Sequence, residues 1–127
     1  MAKVTQFCIG LDNQPGVLAK LCGVLKRAKA NIDAISVVDN SDCAWVRIVA
    51  NPAPAAKDAL TKAKYDFCTN KVLSLSVGNA PGELEAISTK LAKAGVNIHY
   101  VYGTGGAPKA TLVLGVSDVD AAAKALA

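Results

Sequence analysis

"LDNQPGVLAK", Leu11 to Lys20, puts an Asn-x-Pro-Gly turn where an alternating apolar stretch gives way to helical spacing. The arrangement returns 66 residues later in "VGNAPGELEA", Val77 to Ala86, with Asn79, Pro81, Gly82 and Leu84 on the offsets of Asn13, Pro15, Gly16 and Leu18. One such tetrapeptide is a turn; two in matching surroundings mark a repeated unit. The same shift, without a gap, sets Leu25 on Leu91, Ala28 on Ala94, Asn31 on Asn97, Ile32 on Ile98, Ala44 on Ala110 and Ala59-Leu60 on Ala125-Leu126. The chain therefore reads as two copies of one unit, 1–68 and 69–127. Two copies at this long a period are not a solenoid.

Each copy reads strand, helix, strand, strand, helix. Thr5, Phe7, Ile9 and Leu11 alternate with Gln6, Cys8 and Gly10, the period of a strand. From Val17 the apolar positions fall three and four apart (Leu18, Leu21, Val24, Leu25, Ala28), which makes an amphipathic helix ending near Ala30. Ile32 to Val38 and Trp45 to Ala50 are strands, joined by the turn cluster "DNSD" (Asp39 to Asp42). Asn51-Pro52 reads as a cap and first turn for a short helix from Ala55 to Ala63.

In the second copy Leu84, Ile87, Leu91 and Ala94 mark the helix and Gly95 stops it. Ile98 to Tyr102 and Ala110 to Val116 are strands around "GTGGAP", and Ser117 or Asp118 caps a last helix. "KYDFCTNKVLSLSV", Lys64 to Val77, must supply the last strand of copy one and the first of copy two. Nothing remains after Leu126 for a final strand of copy two, so its sheet edge needs cover from the other copy or from a second chain. A homodimer is expected to provide it.

At 127 residues and 52% hydrophobic the chain can bury an aliphatic core. No apolar run reaches the ~20 residues of a membrane span, and the N-terminus has no signal-peptide shape, so a cytoplasmic protein without a membrane partner is expected. The net charge of +4 is spread over Lys20, Lys26, Arg27, Lys29, Lys90 and Lys93 along helical faces, too dilute for a nucleic-acid partner. Cys8, Cys22, Cys43 and Cys68 form no CxxC pair and His99 is the single histidine, so no metal site is expected. The thiols are expected to be separate and mostly buried.

Strand-helix-strand-strand-helix-strand, with Asn-x-Pro-Gly after the first strand and Asn-Ile after the helix, resembles the ACT domain. "LDNQPGVLAKLCGVLKRAKANIDAISV" and "VGNAPGELEAISTKLAKAGVNIHYV" carry the resemblance, which covers nearly the whole chain twice. It implies an α+β fold of two ferredoxin-like βαββαβ repeats, antiparallel sheets with helices on one face, the second repeat lacking its last strand. It also implies a regulatory protein without catalytic residues or cofactor. A free amino acid would be held where modules pair, and a metabolic enzyme is a further partner.

The loop chemistry suits such a ligand. The first N–H groups of a helix and its positive end attract a carboxylate. Gly16 lets a ligand approach the backbone. Asn13 can accept from an ammonium and donate to a carboxylate. The resemblance adds a second asparagine, at the helix-to-strand junction of the paired module, matched by Asn31 and Asn97. A histidine that the serine-pathway dehydrogenase carries two positions before the loop asparagine is Leu11 or Val77 here, so the ligand need not be serine.

The two loops differ. Glu83 falls in the first turn of the second helix, where it would repel a ligand carboxylate; the first copy has Val17 there, and Gln14 in place of Ala80. The stronger site is therefore expected at Asn13, Gln14, Pro15, Gly16, Val17 and Leu18 with Asn97, Ile98 and His99 of the paired second copy. A weaker one combines Asn79, Pro81, Gly82 and Leu84 with Asn31 and Ile32.

The alternative is an ACT interaction subunit with empty loops that regulates or stabilises a metabolic enzyme. An enzyme is disfavoured, because one histidine assembles no Ser-His-Asp or Cys-His set. An RNA-binding sandwich would need aromatics on its central strands, where "CAWVRIVA" and "KATLVLGV" lack the glycine-aromatic pattern. "GTGGAPK" is a turn rather than a phosphate loop, because Pro108 and Ala110 stand where glycine and a hydroxyl are required. Tyr100 and Tyr102 share a strand face and read as packing or pairing residues.

Overall fold

Among the described residues the chain runs through β1 (Ala2–Asp12), α1 (Val17–Arg27), β2 (Asn31–Asn40), β3 (Cys43–Asn51), α2 (Ala53–Lys62), β4 (Phe67–Gly78), α3 (Glu83–Lys93), β5 (Ile98–Thr104), β6 (Lys109–Val116) and α4 (Val119–Leu126). The computed structural model describes residues 1–40, 43–106 and 109–127. The turns expected at Asp39–Asp42 and Gly103–Pro108 lie partly outside them.

The elements divide into two compact units. The first is Thr5–Asn70; the second joins Met1–Val4 to Lys71–Ala127. The first unit has strand order β2-β3-β1-β4, with β1 antiparallel to β3 from Gln6↔Val49 to Asp12↔Cys43. The second has order β5-β6-β4-β1, with β4 antiparallel to β6 from Leu73↔Leu114 to Gly78↔Lys109. Each is therefore a four-stranded βαββαβ unit with two helices.

The last strand that copy two lacks in sequence comes from the start of the chain, because Met1–Val4 belongs to the second unit and β1 lies beside β4. At 11 and 12 residues, β1 and β4 are about twice the usual strand length, and each serves both units. Of the two expected covers, the other copy or a second chain, the structure shows the first: residues Ala2–Val4 of copy one cover the edge, which removes this edge as the reason for a homodimer. Along the sequence the N-terminal strand counts once; in the fold it completes both units.

The same shift of 66 relates the two cores. Phe7, Ile9, Leu21, Leu25, Ile48 and Ala56 are buried in the first, and Leu73, Leu75, Ile87, Leu91, Leu114 and Ala122 occupy the matching positions in the second. Alternate residues of the strands meet the i, i+4 stripe of each helix (Leu21 and Leu25; Ile87 and Leu91), so the helices lie on one face. Each such side chain contributes about 1.5–3 kcal/mol by leaving water.

On the opposite face of the second unit, Tyr100 and Tyr102 stack with ring centroids 6.4 Å apart. A Cβ on Gly115 would collide with the Tyr100 ring, and Tyr102 is opposite the buried Val113.

Helix ends follow the repeat too. After α1 the Ala30 N–H donates to the Leu25 carbonyl at 3.0 Å, with Lys29 left-handed at φ 58. After α3 the Val96 N–H donates to the Leu91 carbonyl at 2.9 Å, with Gly95 at φ 73. Both are Schellman ends, and the second uses the residue type that the conformation favours. Asp118 caps α4 by accepting from the Ala121 N–H at 3.0 Å. Asn51 does not cap α2, whose N-cap is Pro52 with no side-chain hydrogen bond.

Thiol burial is also corrected. Cys8 and Cys22 are half-buried and Cys68 is exposed, because Cys8 and Cys68 lie on the strand face away from the helices. The Cys43 side chain lies outside the described residues.

Candidate functional site

Loop one is a tight turn closed by its own backbone. The Gln14 N–H donates to the Asp12 carbonyl at 3.0 Å and the Val17 N–H to the Gln14 carbonyl at 3.3 Å. Gly16 then sits at φ 87, ψ −12 as the N-cap of α1. That left-handed conformation favours glycine, and nothing lies within 4 Å of where a Cβ would stand. The start of α1 has no side-chain cap and no acidic residue in its first turn. Its positive end is open to an anion. Asn13, Gln14, Pro15 and Leu18 are exposed around it, and Val17 is half-buried.

The Asn13 amide is not alone. Its Nδ2 donates to Asp39 Oδ1 at 2.8 Å, at the end of β2. The sequence reading missed Asp39, taking it only as part of a turn cluster. The available signal was the shift of 66, which sets Asp39 on Gly105.

Loop two has the same backbone and different chemistry. Gly82 takes φ 90, ψ −6, and the Glu83 N–H donates to the Ala80 carbonyl at 3.4 Å. Glu83 and Glu85 occupy the first turn of α3. Glu83 folds back over the strand, its Oε1 3.0 Å from where a Cβ on Gly78 would stand. The Asn79 amide lies beside Gly105, 3.6 Å and 3.8 Å from the position of a Cβ there. Loop two thus has carboxylates where loop one has none, and no carboxylate where loop one has Asp39.

A groove of about 430 Å³ adjoins loop one, lined by Asp12, Val17, Lys20 and Val24 among others. Its counterpart beside loop two is about 250 Å³, with Glu83 and Lys90 in the places of Val17 and Val24.

The helix-to-strand junctions carry the second set of expected residues. Asn31 Nδ2 donates to Asp33 Oδ1 at 2.7 Å. The Asn97 N–H donates to Ser117 Oγ at 3.0 Å, and the Asn97 carbonyl accepts from the Ser117 N–H at 2.9 Å. Ile32 and Ile98 pack against the two cores. The pairing register slips between Ile32 and Ala34, and likewise between Ile98 and Tyr100. Asp33 and His99 occupy these bulges, and both are exposed.

Within the first unit, loop and junction stand at opposite ends of α1. Its 11 residues separate them by about 16 Å at 1.5 Å per residue. Asn13 and Asn31 therefore do not form one site within a unit, and the same holds for Asn79 and Asn97 across α3. Asn13 to Leu18 belong to the first unit and Asn97, Ile98 and His99 to the second.

Among the described residues no group of three His, Cys, Asp or Glu side chains could hold a metal ion, and no helix is long and apolar enough to cross a membrane.

The family model described as an ACT domain pair matches residues 2–126. Among solved structures, protein BT0572 from Bacteroides thetaiotaomicron is 27% identical with a TM-score of 0.92, covering 98% of this chain and 86% of that one. The ligand-free regulatory subunit of aspartate kinase from Thermus thermophilus is 20% identical with a TM-score of 0.72, covering 99% of this chain and 91% of that one. Its counterpart from Thermus flavus is 21% identical with a TM-score of 0.67, covering 96% and 89%. The two kinase subunits share the fold with this chain. No curated protein matches it.

Proposed function

This chain belongs to the ACT domain pair family, and from that premise we propose that it is a regulatory protein whose first loop binds a free amino acid. The observation that carries the reading is Asp39 held 2.8 Å from Asn13 beside a helix start that has neither cap nor acid. A zwitterion needs both features. Its α-carboxylate would take the first N–H groups and positive end of α1; its ammonium would pair with Asp39 and the Asn13 amide oxygen. Loop two offers the reverse, with Glu83 and Glu85 at the helix start and Gly105 in the place of Asp39.

In this reading the site is completed by pairing of two copies. Asn97, Ile98 and His99 of the partner copy's second unit would close over a ligand on Asn13 to Leu18. Asn79, Pro81, Gly82 and Leu84 with Asn31 and Ile32 form the weaker combination. The homodimer rests on a surface other than the edge first expected. β2 is an edge strand in its unit, and Ile35 and Val37 are 41% and 47% exposed along it. These exposed apolar residues equally favour a second reading, an interaction subunit that docks on a metabolic enzyme with its loops empty.

A thermal-shift screen against the twenty amino acids separates the readings. A ligand at about 100 times its dissociation constant adds about 2.7 kcal/mol and moves the midpoint by several degrees. A flat response to all twenty supports the interaction subunit.

A further inference from the structure

Cys8 and Cys68 stand outside the candidate site and face one another across two neighbouring strands of the first unit. β1 lies beside β4, and the Gln6 Nε2 donates to Asn70 Oδ1 at 3.3 Å. On antiparallel strands, opposed pairs recur two residues on in one and two back in the other. Taking the hydrogen-bonded Gln6 and Asn70 as an opposed pair, this step puts Cys8 opposite Cys68. Two further contacts span the same strands: the Cys8 thiol lies 3.7 Å from Asn70 Oδ1, and the Phe7 and Phe67 rings are 5.8 Å apart on the other face. The Cys68 thiol also stands close enough to push the Cys8 thiol up through its charge. Directly opposed residues have Cα atoms about 4.5–5.5 Å apart, within the range of about 4.4–6.8 Å that a disulfide spans.

We propose that Cys8 and Cys68 form a reversible, peroxide-driven disulfide that staples β1 to β4. Cys68 is the exposed member and the entry point. Its thiolate sulfur attacks one oxygen of hydrogen peroxide; the S–O bond forms, the O–O bond breaks, and the departing oxygen leaves as water after taking a proton. The Cys8 sulfur then attacks the Cys68 sulfur; the S–S bond forms, the S–O bond breaks, and hydroxide leaves as water with the Cys8 proton. Two thiols are oxidised by two electrons and one peroxide is reduced to two waters. A dithiol reductant reverses the step by exchange. Burial and then the neighbouring Cys68 push the Cys8 thiol up, outweighing the opposing pull of the Gln6 hydrogen bond and of Arg47, opposite Cys8 on β3. Cys8 therefore suits the resolving role, close at hand and slow to react first.

Trypsin places the four cysteines on separate peptides, residues 4–20, 21–26, 30–47 and 65–71. The full chain is treated with one equivalent of hydrogen peroxide, alkylated and digested without reductant. The expected result is loss of two of the four thiols and a linked 4–20/65–71 peptide lighter by two hydrogens than its parts. Cys68→Ser should abolish the link, Cys22→Ser should leave it unchanged, and dithiothreitol should restore all four thiols. Links through residues 21–26 or 30–47, disulfides between chains, or oxidation of Cys68 to higher acids with Cys8 still free would overturn the proposal.

Discussion

The Lys3 ammonium lies 2.8 Å from the Asp120 carboxylate, tying the first residues of β1 to α4 at the other end of the chain. The pair marks the place where the N-terminus completes the second unit. Lys3 holds the Asp120 carboxyl below its ordinary value through a hydrogen bond and its charge. The contribution of such a group is present above its unfolded pKa and lost as pH falls through the folded one. Asp120 is fully exposed, so salt screens the pair, and Lys3→Ala should change stability little. Deleting residues 2–4 should do much more, because it strips the strand beside β4. Hydrogen exchange over residues 71–78 should accelerate in the deletion and not in Lys3→Ala; equal protection in both would show that these residues do not form the strand.

The same sharing of strands means that the halves do not fold apart. A fragment 1–68 keeps only the first two residues of β4, and a fragment 71–127 lacks Ala2–Val4. Both should be unfolded or aggregated. Two well-dispersed amide spectra from the separate fragments would contradict this.

Lys29 and Gly95 hold the same left-handed helix end with opposite suitability. A residue with a Cβ loses roughly 1 kcal/mol or more there, partly offset by glycine's greater freedom in the unfolded chain. Lys29→Gly should raise stability by up to about 1 kcal/mol, and Gly95→Lys should lower it by a similar amount. Urea unfolding of the two variants should give midpoints that move in opposite directions.

Gly115 makes room for Tyr100, and Gly103 makes room for the backbone of β6. Gly115→Ala should cost about 1–3 kcal/mol through overpacking, and adding Tyr100→Ala should recover part of it. Gly103→Ala meets the Thr111 carbonyl and should cost more, without rescue from a side-chain deletion. Thermal unfolding of these variants reads the coupling directly.

The repeat made most of the fold legible, because paired core positions such as Leu25 and Leu91, or Ile48 and Leu114, keep one pattern of burial through both copies. What escaped was non-local. Ala2–Val4 look like the start of one strand, and nothing in their own sequence says that they complete a unit ending at Ala127. Lys29 has no preference for the left-handed conformation that it takes, and Asn51 looked like a cap that the chain direction at Pro52 does not use. At loop one the Pro-Gly turn and the open helix start were legible. Asp39 was not, since an aspartate in a turn cluster satisfies local turn chemistry and its contact with Asn13 spans 26 residues.

Loop one, and not loop two, is expected to hold the amino acid. Calorimetric titration with the amino acid that gives the largest thermal shift, on wild type, Asn13→Ala and Asn79→Ala, tests this. Asn13→Ala should lose roughly 1–3 kcal/mol of binding through its broken hydrogen bonds, and Asn79→Ala should lose much less. Equal losses, or a larger loss at Asn79, would contradict the assignment of the ligand to loop one.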